Sequence, residues 1–259
     1  MTDTLHTSSF SRTAIHDHAV ERGFYAAEDL EVEVDITQAS KTQMAQLCAG
    51  VWDLVSTNFD NVLYWSEDHG VDLLVISAVE SVPRQDLVVR PEIKSYDDLR
   101  GKVIAVDAAE SGYVTPLRML LTDAGLKEND DYTLTEFGAT NQRVDAMAAG
   151  EAFGAMVSEG RPLECGMWVL DAIGRLFTHY ASVIVARHEW AEANEGLVRR
   201  YLNAHLAASA SLSGSKNFSF AWDGLREMME MRAKVGFLRG PVDPKRFATE
   251  KFLRLFIPD

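Results

Sequence analysis

The chain has 259 residues, 25 Lys and Arg against 39 Asp and Glu, a formal net charge of −14 and 47% hydrophobic residues. This composition supports a folded core and excludes disorder for the bulk of the chain. The acidic surplus repels a phosphate backbone, so no nucleic-acid partner is expected. Cys48 and Cys165 make at most one bridge and sit in no metal-ligand spacing, so the sequence calls for neither a disulfide scaffold, nor a metal, nor a cofactor.

The length suits one large domain or two compact lobes. The start, Met1-Thr2-Asp3-Thr4, lacks the basic and apolar segments of a secretory leader, which places the chain as written in the cytoplasm, or in the periplasm if a leader has been removed. Apolar runs such as Val71 to Val79 fall short of the ~20 residues a membrane helix needs, so no membrane insertion is expected.

In chain order, Thr13 to Tyr25 reads as helix, and Leu30 to Ile36 alternates apolar and acidic residues, the period of a strand with one wet face. Lys41 to Ala49 reads as helix, Trp52 to Ser56 as strand, Asn61 to His69 as helix and Val71 to Val79 as a buried strand. Strands at Lys102 to Asp107, Phe153 to Val157 and Ser182 to Ala186 alternate with helices at Tyr113 to Ala124, Gln142 to Ala149 and Glu195 to Ser211. That alternation is the pattern of an α/β fold with crossover helices. After about residue 188 the chain reads helical, as a C-terminal pack over the first lobe. An internal echo links Leu47-Cys48-Ala49-Gly50 to Met147-Ala148-Ala149-Gly150, each a helix end, a glycine and then a strand. Two similar lobes explain it, and so does the ordinary look of any helix-to-strand turn.

Four segments carry a family resemblance. They are Ala19-Val20-Glu21-Arg22-Gly23-Phe24-Tyr25 with Leu30 to Glu33, then Met44 to Leu54, then Ser95-Tyr96-Asp97-Asp98-Leu99-Arg100-Gly101-Lys102-Val103-Ile104-Ala105-Val106, and finally Leu120 to Leu126 with Asp130-Asp131-Tyr132. In this order they resemble the type II periplasmic-binding-protein fold, and within it the NMT1/THI5-like and sulfonate, nitrate and taurine solute-binding group, over roughly residues 4 to 215. The resemblance implies two lobes, each a mixed sheet flanked by helices, joined by crossings near residues 80 to 90 and 180 to 190. Lobe one would hold 1–84 and 187–259, and lobe two 85–186. Thr4 to Phe10 would be the first strand. Two cysteines cannot supply the Cys-rich iron motif of the group's thiamine-pyrimidine synthases.

In open α/β sheets a ligand binds beyond the carboxyl ends of the strands, so the loops there are the candidates. The first offers Ser8, Ser9, Phe10 and Arg12 beside Ser11, which would otherwise only cap the helix. Thr57, Asn58 and Phe59 follow the third strand, where the first two could equally serve as caps. Glu80 and Ser81 stand at the first crossing, as an acid/base and a hydroxyl or as a solvated hinge. In the second lobe Ser111, Gly112 and Tyr113 precede a helix together with Glu110, and Thr140, Ser158, Glu159 and Arg161 occupy equivalent loops. Arg161 suits a carboxylate or sulfonate, or a surface pairing with Glu159 or Glu164. Of His16 and His18, His16 is placed on the inward helix face, and it is proposed as acid/base if the protein is an enzyme, together with Glu80 and Glu110. No triad, phosphate-binding loop or zinc-protease motif is visible.

Two functions follow. The first is binding of a small organic molecule or anion between the lobes, as an ABC-transporter-type solute-binding protein with a permease partner if exported, or as a leaderless cytoplasmic relative. The alternative is a cytoplasmic enzyme on the same fold, catalysing proton transfer, decarboxylation or hydrolysis of a small organic acid.

Overall fold

A computed structural model of the chain describes residues 2–160, 163–214, 219–238, 240 and 242–253, the Glu80 side chain excepted. Its strands form two five-stranded mixed sheets. The first sheet contains β1 (Asp3–Ser9), β2 (Leu30–Ile36), β3 (Leu54–Asn58), β4 (Leu73–Glu80) and the late strand β10 (Ala181–Arg187). The second contains β5 (Gln85–Val89), β6 (Lys102–Val106), β7 (Tyr132–Glu136), β8 (Gly154–Ser158) and β9 (Trp168–Ala172). Around them pack α1 (Ala14–Glu21), α2 (Phe24–Ala27), α3 (Ser40–Cys48), α4 (Phe59–Leu63), α5 (Val114–Asp123), α6 (Thr140–Ala149), α7 (His188–Ala193), α8 (Glu195–Ser213), α9 (Trp222–Lys234) and α10 (Glu250–Leu253).

The alternating segment is β2, at the edge of its sheet. There Glu31, Glu33 and Asp35 remain exposed, and such a row of like charges keeps an open edge from pairing with another chain. The expected helix over Thr13 to Tyr25 is interrupted, because Gly23 takes a left-handed φ of 72° between α1 and α2. Thr13, not Ser11, caps α1, accepting from the His16 amide at 3.1 Å. The helix expected from Asn61 starts at Phe59 and passes into a π-helical turn over Tyr64–Asp68. Strands β5, β7 and β9 add to those expected from the sequence. Strand β10 pairs antiparallel with β3 and β4, so residues 181–186 belong to the first sheet rather than to the second lobe.

The internal echo is structural. The sheets run β2-β1-β3-β10-β4 and β7-β6-β8-β5-β9, so β3 and β8 are the central strands, each entered from a helix that ends at a left-handed glycine, Gly50 (φ 80°) or Gly150 (φ 82°). In each lobe an arginine from the antiparallel neighbour caps that helix. Arg187 donates to the Leu47 carbonyl, and Arg90 donates to the Met147 carbonyl at 2.5 Å. These cations add a second donor to last-turn carbonyls that already accept from the Gly50 and Gly150 amides, at the negative end of the helix dipole.

A fully buried ion pair joins the C-terminal pack to both lobes. Asp60 on α4 accepts from Arg232 Nη1 on α9 at 3.0 Å and from Thr115 Oγ1, on α5 of the second lobe, also at 3.0 Å. Arg232 is 3% exposed and reaches Asp68 at 2.7 Å through its other terminal nitrogen. Burial pushes the Asp60 carboxyl up, and Arg232 and Thr115 oppose that push. Removing one partner of such a pair leaves a buried charge alone. The Asp60→Asn and Arg232→Met variants should therefore each lose on the order of 3–5 kcal/mol in chemical denaturation, and the double variant should lose less than their sum.

Helix α8 carries His205, which burial and the neighbouring His16 push down to about 4. The unfolded chain binds that proton near the ordinary histidine value while the folded chain does not, so stability is complete above that value and is lost as pH falls toward 4. The loss of unfolding free energy between pH 7 and pH 4, followed by chemical denaturation, should exceed that of a His205→Phe variant by roughly 2–3 kcal/mol.

Candidate functional site

The carboxyl ends of β1, β3, β6 and β8 face one another across a cleft of about 430 Å³. Both lobes line it, within the range typical of small-molecule sites. Of the residues singled out from the sequence, Ser9, Phe10, Thr57, Asn58, Tyr113, Thr140 and Ser158 are in its wall.

The other described candidates are elsewhere. Ser8 points beneath the sheet to accept from Gln43 Nε2 at 3.3 Å. Arg12 is exposed, 3.9 Å from Asp17. Phe59 is in the core, edge-on to Phe247. Ser81 hydrogen-bonds at 2.8 Å to Ser182, which does line the cleft. Ser111 is buried and donates to Asp107. Gly112 packs on Asn58 rather than facing open space. Glu159 is exposed. Glu110 stands 3.9 Å from Lys41 across the lobes. His16 faces a smaller space behind β1. Arg161 and the Glu80 side chain lie outside the described residues.

Two charged residues that sequence inspection passed over are in the wall, Asp107 and Arg143. Asp107 follows β6 and is held by the Ser111 hydroxyl and, across the lobes at 3.4 Å, by the Ser40 hydroxyl. Arg143 lies in the first turn of α6 and is 5% exposed. Its Nε donates to the Met156 carbonyl at 3.0 Å, Nη1 to the Gly138 carbonyl at 2.5 Å and Nη2 to Thr140 Oγ1 at 3.0 Å. All three acceptors are neutral, and among the described residues no carboxylate comes within ion-pair distance. Burial pushes the Arg143 guanidinium down, with Asp107 at longer range opposing.

The echo explains the placement. Gln43 holds in α3 the position that Arg143 holds in α6, and its Nε2 donates to the Ser56 carbonyl as Arg143 Nε donates to that of Met156. One lobe has a neutral amide there and the other a cation. Extending the echo back from Gly50 and Gly150 to the helix starts would have singled out this pair.

Among the described residues the rest of the wall is neutral. Gln85 spans to Ser158 at 3.1 Å, and its Oε1 is buried without a donor among the described residues. Tyr113 is bonded to Asn58 and Tyr180, and burial raises its phenol. Among the described residues no group of three or more His, Cys, Asp or Glu side chains could hold a metal ion, and no helix is long and apolar enough to cross a membrane.

Residues 16–212 match the NMT1/THI5-like family. The chain belongs to that family. Solved structures with the NMT1/THI5-like chain's fold include the periplasmic aliphatic sulphonate binding protein SsuA from Escherichia coli, at 20% identity and TM-score 0.65 over 95% of this chain and 88% of that one. The Candida albicans CA3427 gene product, described as having the generic periplasmic binding protein fold, matches at 12% identity and TM-score 0.71 over 98% and 94%. The desulfurization enzyme DSZB matches at 18% identity and TM-score 0.63 over 97% and 98%. No curated protein matches by sequence.

The seam beside the cleft gives a direct test of lobe contact. A Cβ on Gly112 would lie 2.6 Å from the Asn58 Cβ and 2.8 Å from its Nδ2. Gly112→Ala should cost about 1–3 kcal/mol, as overpacking does, and should enlarge the radius of gyration measured by small-angle scattering.

Proposed function

We propose that this NMT1/THI5-like protein binds a small organic anion between its lobes, with a sulfonate or carboxylate head at Arg143. The observation that carries the reading is that guanidinium, buried in the cleft wall and bonded only to neutral oxygens among the described residues. A buried charge with no counter-charge in contact is costly, Asp107 acting on it only at longer range, and an anion in the cleft relieves that cost. The three bonds to protein use part of the guanidinium's donor set and leave the rest for a ligand. The start of α6 adds its partial positive charge at the same place.

The Escherichia coli relative is an aliphatic sulphonate binding protein, and a sulfonate is among the heads that suit Arg143. In an importer the partner would be an ABC permease and the compartment the periplasm. Binding is preferred to catalysis because neither Glu110, which stands 3.9 Å from Lys41, nor His16, which lines the smaller chamber beside the cleft, is in the wall of the cleft itself.

Isothermal titration of the full chain with butane-1-sulfonate and butanoate tests the reading. Arg143→Gln should weaken the better ligand by about ten- to a hundredfold, the size of a charged hydrogen bond, and Arg143→Lys should retain part of the affinity. The ligand should be recovered unchanged by mass spectrometry. Equal affinity in Arg143→Gln, or a chemically altered ligand, overturns the reading.

A further inference from the structure

A second, smaller cavity borders the cleft. It measures about 50 Å³ and lies between the first sheet and helices α1 and α8, and Ser9, Thr13 and Ser56 line both spaces. Its far wall is a row of rings, with centroids 5.6 Å apart from His16 to Tyr25, 6.0 Å from Tyr25 to Tyr201 and 5.6 Å from Tyr201 to His205.

The hydrogen-bonding capacity of this wall is unevenly used. The phenols of Tyr25 and Tyr201 bond to each other. Thr7 donates to the Glu33 carbonyl at 2.9 Å and Ser9 to the Ser11 carbonyl at 2.7 Å. His205 Nδ1, by contrast, is shielded from solvent with no partner among the described residues. Burial keeps both imidazoles below the usual histidine value. At neutral pH each is therefore uncharged and offers one N–H donor and one acceptor. A space with such walls favours an occupant that both donates and accepts, and its size admits an end group of about two heavy atoms. A charged end group would lose its hydration there without gaining a counter-charge.

We propose that this chamber is a subsite of the cleft that takes a short, uncharged hydroxyl- or amide-bearing end of the bound anion, held by the His16 and His205 imidazoles while the head stays at Arg143. This rests on the anion reading above. The ligand class narrows accordingly to anions with a neutral polar terminus, against plain alkyl, cationic or doubly anionic relatives.

The test is calorimetric titration at pH 7.5 of the full chain with ω-hydroxyalkane-1-sulfonates of increasing chain length, alongside the unsubstituted and ω-amino sulfonates of equal length. At one chain length the hydroxyl compound should bind about tenfold tighter than both others, the scale of one or two neutral hydrogen bonds. His205→Phe should abolish that preference. Independently of any variant, the hydroxyl compound alone should shift the His205 imidazole ¹⁵N resonances of the wild-type chain. Binding of plain alkanesulfonates with no hydroxyl preference at any length, a preference that survives in His205→Phe, or unmoved His205 resonances each overturn the subsite and leave the anion reading standing. Failure of every sulfonate to bind overturns both.

Discussion

The cleft depends on a charge pair buried away from solvent. Asp60 and Arg232 belong to lobe one and to the C-terminal pack, and Thr115 brings lobe two to the same carboxylate. A single buried acid therefore ties three parts of the chain together, and its cost is tolerable only while both partners stay in place. Ser40 on Asp107, Lys41 near Glu110 and Gly112 against Asn58 lie along the same seam. The strand ends facing the cleft are thus held at a set distance before any ligand arrives, which lowers the ordering cost of binding.

The two sheets are variations on one plan, and the site lies in their difference. Arg187 and Arg90 do the same job in each lobe, closing a helix end above a left-handed glycine. Gln43 and Arg143 share a position and a carbonyl-bonding habit but not a charge. The proposed anion between the lobes would be drawn to lobe two for that reason. The net charge of −14 does not oppose it strongly, because exposed charges are screened within ~10 Å in salt whereas a buried guanidinium is not.

Much of the architecture was legible in the order of the residues. The alternation of β2, the buried runs of β4, β6 and β8 and the glycines after α3 and α6 are local signals, set by side-chain period and by the conformational freedom of glycine. Strands β7 and β9 were not legible: β9 is a partly exposed edge whose segment shows neither clean alternation nor a buried run, and pairing with β5 gives it its form. Strand β10 could be recognised as a strand, but not as a member of the first sheet, since sheet membership is a matter of long-range hydrogen bonding.

The sequence by itself determined the α/β class, the acidic surplus and the strand-end loops from which a site had to be drawn, and its family resemblance implied the two-lobed plan. Tertiary structure decided which loop residues face the cleft. Ser8 and Ser9 are neighbours, yet the pleat sends one hydroxyl to Gln43 beneath the sheet and leaves the other residue in the cleft wall. It also decided the charge at the site. An arginine in a helix looks like surface in a sequence, and only packing against Met156, Gly138 and Thr140 turns Arg143 into a desolvated cation aimed at a cleft. Burial, unlike residue type, is a property of the folded chain as a whole.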